Sequence, residues 1–457
     1  MYWPTGSARR LCVEPAGLPD VHNDAVHMAS TRDGMLWFVL TRTALLLWRA
    51  RPIEIVASVI RTQRSLHEYG ANVHAVWSPD ASGIAIQTER DTLLFYELSQ
   101  PASKPSMHAL SDPSAPELAP SSQALLATFQ PATGDAYHTC TNEPLSARIN
   151  FQILFRDALQ VDPGIACIAC VDAHLFVSTK SPAAVQLVSW PSSSSSASTS
   201  AASASVSASS AASAPPILLV HLPWLQVPLS SSSSLAPTPS PIVHAEHSYA
   251  TDLSAWIAAD GSAYIVGRND TWVGACAYRA VDSAHKNVPT TTALNARFSL
   301  LALGFENGHI TLFEFQTATQ TPQFVHSLTL PHITGRVICL DWTADGHALA
   351  VGYEQGWAVW STFGHVMCHS FREDWTTATR SYRDNFQFGV QSIFWGLGGT
   401  ELFVLACPLS PDAHAQDDER TLAYVLPFVK AAATTHMTPA DVNAGFLLGD
   451  ASAYMYR

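Results

Sequence analysis

Few residues in this sequence are placed to do chemistry, and their spacing decides what each can do. Cys167-Ile-Ala-Cys170 has the spacing of a redox pair or of half a zinc site. Such a site needs a second ligand pair nearby, and His174 is the candidate in reach. Positions three apart on a strand point to opposite faces, and the surrounding Ile165-Ala-Cys-Ile-Ala-Cys-Val171 reads as a buried strand. The two thiols are therefore expected to diverge and to pack as small apolar groups. His244-Ala-Glu-His247 has the look of a metal pair, but it follows a Pro/Ser stretch and no carboxylate pattern accompanies it. A structural role is the expectation there too.

The carboxylates divide in the same way. Asp341 and Asp345 flank Trp342, and a turn carboxylate beside a strand usually caps its own backbone. Glu373-Asp374 and Asp417-Asp418-Glu419 are acidic runs in loops, expected to be solvated, although loops are also where partners dock. Trp77, Trp342, Trp360 and Trp395 fall at the ends of apolar runs and read as packing residues. No G-x-S-x-G elbow, phosphate-binding loop or dinucleotide fingerprint is present. No residue is thus assigned a catalytic, cofactor-binding or metal role.

The elements that carry these residues are short and repetitive. Val337 to Cys368 packs four apolar runs, separated by turns at Ala344-Asp345-Gly346 and Glu354-Gln355-Gly356, which predicts a small antiparallel sheet. Ala75-Val-Trp77-Ser-Pro79-Asp80-Ala-Ser-Gly83 repeats the order of Leu340-Asp-Trp342-Thr-Ala-Asp345-Gly346. Asp33-Gly34, Asp260-Gly261, Asn307-Gly308 and Gly398-Gly399 supply further hairpin turns. Leu45–Trp48, Leu93–Tyr96, Ile310–Phe313 and Trp357–Trp360 are expected to be the strands that end each unit. A period of roughly 40 to 50 residues with four strands per unit predicts an all-β fold, a β-propeller of WD-repeat type with about seven blades.

On that reading the blades are Met28–Trp48, Ile55–Leu98, Leu125–Val177, Val185–Val220, Leu253–Phe315, Phe324–Ser361 and His365–Phe428. The whole chain, 1–457, forms one propeller domain. Residues 191–216 and 230–241 are Ser/Ala- and Ser/Pro-rich and are expected to be disordered loops within it. Pro101–Ser122 is a milder case.

Composition supports a large core: 457 residues, 47% of them apolar and 13% charged. Lys and Arg number 24 against 37 Asp and Glu, a net charge of −13, which excludes the electrostatic footprint of nucleic-acid binding. The N-terminus lacks an apolar signal region, and no apolar run reaches the about 18 residues of a membrane helix. Eight scattered cysteines fit a reducing cytosol. Asn269-Asp-Thr271 matches a glycosylation sequon and is given no weight. A propeller hydrolase would need Asp, Glu or His side chains converging on the central channel, whereas the histidines here are dispersed along the sequence.

Met1-Tyr-Trp-Pro-Thr-Gly6 with Arg9-Arg10-Leu11 resembles the opening of the Ric-one family. So do Leu45-Leu-Leu-Trp48 to Arg51-Pro52, Tyr69-Gly70 and Trp77-Ser-Pro79-Asp80. Gly356-Trp-Ala-Val-Trp360-Ser-Thr-Phe363-Gly364 is similar to that family's G-x-x-x-W-S-x-F/Y-G segment. Pro101–Pro241 departs from the pattern. The resemblance implies the large, non-catalytic subunit of a guanine-nucleotide exchange complex with an Rgp-one-type partner. That complex activates a Golgi Rab GTPase in endosome-to-Golgi and intra-Golgi traffic. The protein would be cytoplasmic and peripheral at the Golgi membrane, reaching it only through partners, with no cofactor. Family members continue into a helical region, so this chain reads as a fragment or shortened product. The competing reading is a propeller scaffold of a vesicle-coat or tethering complex.

Overall fold

The computed structural model describes residues 2–4, 9–11, 25–50, 53–99, 126–129, 138–141, 151–162, 164–171, 174–181, 183–190, 218–222, 240–267, 275–278, 288–315, 323–330, 335–371, 388–408 and 422–430. They form seven separate antiparallel sheets. Each sheet begins with an inner strand, and these are Ala25–Ser30, Asn72–Trp77, Ile165–Val171, Ile242–Ser248, Pro289–Asn295, Val337–Trp342 and Phe388–Trp395. Every inner strand touches the next, and the seventh touches the first, so the sheets close into a ring. The seven-bladed propeller expected from the repeat is therefore the fold.

The core is distributed, because a blade can hide its two apolar faces only against its neighbours. Seven apolar clusters fill seven gaps, one between each adjacent pair of blades. Second strands such as Ala348–Tyr353 and Leu300–Phe305 are buried at every position. Outer strands are not, as Gln323–Leu328 shows with its mostly exposed pattern.

That contrast explains where the expected blade boundaries were displaced. Leu45–Trp48, Leu93–Tyr96, Ile310–Phe313 and Trp357–Trp360 belong to third strands, and a weaker fourth strand follows each. Val366–His369 thus completes the sixth blade instead of opening the seventh. Leu253–Phe315 spans parts of two blades, not one. The seventh blade takes its outer strands from the other end of the chain: Tyr2–Pro4 and Arg9–Leu11 both pair with Leu422–Lys430. The first blade is widened by a hairpin, Leu126–Phe129 and His138–Thr141, that pairs with Glu54–Arg61.

One α-helix is described, Gln63–Tyr69, between the first and second blades. Thr62 caps its start and Gly70, at φ 80°, its end. Buried Arg61 fastens it, donating to Ser65 Oγ and to the Ser65 and Gly70 carbonyls, and also to Asn72 Oδ1 at the start of the second blade. Among the described residues no helix is long and apolar enough to cross a membrane. Residues 191–216 and nearly all of 230–241 lie outside the described residues, as do Glu373-Asp374, Asp417–Glu419 and the Asn269 triplet.

Candidate functional site on the channel wall

All seven inner strands carry the same irregularity. The ladder to the second strand slips between Ala25 and His27, Asn72 and His74, Ile165 and Cys167, Ile242 and His244, Pro289 and Thr291, Val337 and Cys339, and Val390 and Ser392. A bulge leaves one residue unpaired and re-aims its side chain. Neighbouring blades cover both faces of an inner strand, so the open direction is the ring axis. The bulge residues, Val26, Val73, Ala166, Val243, Thr290, Ile338 and Gln391, lie at one level of the ring as a mainly apolar collar, in which Val26 packs toward the second blade and the Thr290 hydroxyl donates to the Val337 carbonyl of the sixth at 2.6 Å. Val73 and Val243 are 41% and 43% exposed.

Below the collar runs a polar belt: His27, His74, Cys167, His244, Thr291, Cys339 and Ser392. The His27 and His74 rings lie 4.0 Å apart, centroid to centroid. His244 Nε2 is 3.5 Å from Thr291 Oγ1, and Ser392 Oγ accepts from the Met28 N–H at 3.2 Å. Burial drives the imidazoles toward their neutral forms. His27 falls well below the usual range through burial and the neighbouring His74. His74 falls to about 4 through burial and then His244, and His244 to about 4 through burial. Burial also lifts the Cys167 thiol, and that of Cys339 to about 12, so neither is a reactive thiolate.

Two residues further down each strand, two carboxylates project. Glu246 accepts the Leu294 N–H of the fifth blade at 3.3 Å, and Asp341 accepts the Trp395 N–H of the seventh at 2.6 Å. Ala293 stands on the strand between them. Burial raises Glu246 to about 8, with Asp341 adding to the effect, and Asp341 itself to about 7. Both keep partial access to water, which on an innermost strand means access from the channel.

This wall overturns one expectation. The histidines are dispersed in sequence, yet three of them meet at one level, because each repeat returns the same strand position to the axis. The candidate sets read from local spacing do not assemble. Cys167 packs toward the fourth blade with Ala169 and Val171, while Cys170 takes a hydrogen bond from the Tyr249 hydroxyl at 3.1 Å. Neither sulfur is in a disulfide. His247 is held by Ser254 Oγ at 2.9 Å and lies 3.9 Å from Asp252, away from the His244–Thr291 contact. Among the described residues no group of three or more His, Cys, Asp or Glu is arranged to hold a metal.

Asp345 does cap its own turn, accepting from Thr343 Oγ1 and the His347 N–H. Asp341 does not: it sits within a strand and ties two blades together. The packing role of the tryptophans holds. Trp77 and Trp342 donate to the Ala29 and Ala293 carbonyls of the preceding blade. Trp360 donates to the Tyr353 hydroxyl at 3.4 Å, and Trp395 stacks edge-on with Phe428. On this wall the carboxylates accept backbone N–H groups across blade gaps and so tie neighbouring blades together, and the imidazoles are neutral.

The chain is 21% identical over 427 residues to the guanine nucleotide exchange factor subunit ric1 of Schizosaccharomyces pombe, covering 89% of this chain and 35% of that protein. It is 22% identical over 472 residues to the subunit RIC1 of Homo sapiens, covering 100% of this chain and 30% of that protein. The resemblance carried by the short motifs thus extends along the chain, which spans about a third of the length of these relatives. Among solved structures, the β-propeller domain of Myceliophteria thermophila Cps50 (Swd1) matches with a TM-score of 0.52 and 10% identity, over 93% of this chain and 99% of that one. That likeness concerns the fold alone. No protein-family model matches the chain.

Proposed function

We propose that this chain is the propeller part of a Ric1-type subunit in a guanine-nucleotide exchange complex, where it acts as a scaffold and not as the catalyst. The observation that carries the reading is the end-to-end similarity to two proteins named as such subunits. The resemblance of Gly356–Gly364 and the N-terminal motif adds the finer identity: an Rgp-one-type partner, a Golgi Rab GTPase as client, and a place at the Golgi membrane reached through partners. Exchange requires no covalent chemistry. A surface that binds the nucleotide-free GTPase better than the loaded one shifts the equilibrium toward release. A wall of neutral imidazoles and bridging carboxylates is compatible with that role.

The test is release of a fluorescent guanine nucleotide from the Golgi Rab, measured with the full-length subunit and its partner. Release at least about tenfold faster, a change of about 1.4 kcal/mol in barrier, is expected with both present. Release unchanged from the GTPase alone sinks the proposal. Co-purification of coat components in place of the Rgp-one-type protein would favour the vesicle-coat alternative.

A further inference from the structure

We propose that Arg32 and Tyr249 form a strap across one mouth of the central channel, bracing the first blade against the fourth so that their inner strands loosen together. The inference goes beyond the exchange reading and does not depend on it.

The turns that follow the inner strands lie at the end of the ring opposite the collar. Four of those described close with the same backbone hydrogen bond, from the fourth residue's N–H to the first residue's carbonyl. They run from Gly34 to Thr31, Ala81 to Ser78, Thr251 to Ser248 and Gly346 to Thr343. The second residue of such a turn stands near its tip. It is Arg32 in the first blade and Tyr249 in the fourth, but Pro79 in the second and Ala344 in the sixth. Proline and alanine are too short to leave their own blade. Arginine and tyrosine are not, and here they meet. The Arg32 Cζ lies 5.1 Å from the centre of the Tyr249 ring, inside the reach of about 6 Å over which a cation is drawn to an aromatic face.

Ring topology gives this contact its meaning. The first blade adjoins the seventh and the second, and the fourth adjoins the third and the fifth. Arg32 and Tyr249 therefore stand on blades that share no gap, and a contact between their turns passes over the channel mouth. Every other link between blades described above joins neighbours.

The two partners are held unequally. Tyr249 is fixed: its hydroxyl donates to Cys170 Sγ of the third blade at 3.1 Å, and its ring meets His247 edge-on at 4.7 Å. Arg32 is exposed and, among the described residues, enters no ion pair. Its neighbour Asp33 is committed to its own turn, accepting from Thr31 Oγ1 and the Met35 N–H. The ring is thus a prepared seat and the guanidinium the movable end. At an exposed site such a contact shifts an equilibrium only about two- to fivefold, so the strap stiffens the mouth without locking it.

The test is amide exchange of the intact chain, compared for the wild type, Arg32→Ala, Tyr249→Leu and the double variant. Arg32→Ala should speed exchange in Ile242–Ser248, and Tyr249→Leu in Ala25–Ser30, each about two- to fivefold, although no backbone bond joins the two strands. The double variant should lose less than the product of the two single effects, because one contact cannot be lost twice. Tyr249→Phe gives up the bond to Cys170 but keeps the ring, and should leave Ala25–Ser30 as protected as in the wild type. Exchange that quickens only in the substituted blade, or single effects that multiply in full, overturns the proposal. If Tyr249→Leu fails to fold, the exposed Arg32→Ala variant decides alone, since unchanged exchange in Ile242–Ser248 overturns the strap.

Discussion

With ring centroids 4.0 Å apart, His27 and His74 tolerate their contact only while uncharged, and this makes stability depend on pH at single residues. The folded values of His74 and His244 lie near 4, below the ordinary 6.5. Their contribution is complete above about 6.5 and is lost as pH falls toward about 4. Glu246 and Asp341 act oppositely, with folded values near 8 and 7 against ordinary ones of 4.5 and 3.8. What their protonated forms contribute is complete below the ordinary values and is lost as pH rises through the folded ones. The wall groups together therefore favour a stability maximum near about pH 6. Urea midpoints measured from pH 4.5 to 8.5 should fall on both sides of it, and Glu246→Gln should lessen the alkaline fall and move the maximum to higher pH. An unchanged alkaline slope in that variant would refute the assignment. Little of this was legible in sequence. Asp345 could be read as a cap because its donors are two residues away, whereas Asp341 meets its donor in another blade.

Turns are the elements in which sequence and structure agree most closely, because their chemistry is local. Thr31, Ser78 and Thr343 each donate a hydroxyl hydrogen bond to the aspartate two residues on, Asp33, Asp80 and Asp345, at 2.6, 2.7 and 2.8 Å. The next residue is left-handed in all three turns: Gly34 at φ 67°, Gly346 at 72° and Ala81 at 58°. Only Ala81 carries a Cβ there, which costs about 1 kcal/mol. Ala81→Gly should therefore stabilise the protein by up to about 1 kcal/mol, less the entropy glycine adds to the unfolded chain. A rise in the urea midpoint at constant slope would confirm it, and a fall would show that the turn is not strained. Strands were less legible than turns. The third strands are covered on both faces and give loud apolar runs, as in Ala44–Arg49. The outer strands alternate weakly or not at all, so the sequence pattern ends one strand too early. Gln323–Leu328 is one such strand.

At the scale of the whole ring the decisive contact joins the two ends of the described chain. Five blades take their four strands consecutively and the second draws its outer strand, Gln152–Gln160, from beyond the hairpin that joins the first, but the seventh has three of its own and borrows its outer edge from Tyr2–Pro4 and Arg9–Leu11. No local pattern reveals this, since a three-residue strand has no periodicity to detect and its partner lies at the far end of the sequence. The count of about seven blades was legible because it needs only the repeat; the closure was not, because it needs the pairing. Physically, the N-terminal strands latch the outer edge of the seventh blade, and Tyr2–Pro4 also touches Val366–His369 of the sixth, while Trp37, Phe394 and Phe403 pack in the gap between the seventh and first blades. Removing residues 1–11 should uncover the edge of Leu422–Lys430 and cost about 1 kcal/mol for each ladder hydrogen bond lost, on the order of 3 kcal/mol in all. The chain should still form its other six sheets, so the loss should appear first as faster amide exchange in 388–408 and 422–430. A free, uncovered strand edge also invites association, so the truncated protein should self-associate as its concentration rises. A synthetic peptide of residues 1–11, added in trans, should restore both exchange protection and the monomer. An unchanged unfolding midpoint together with unchanged exchange in the seventh blade would show that the ring closes on its apolar gap alone.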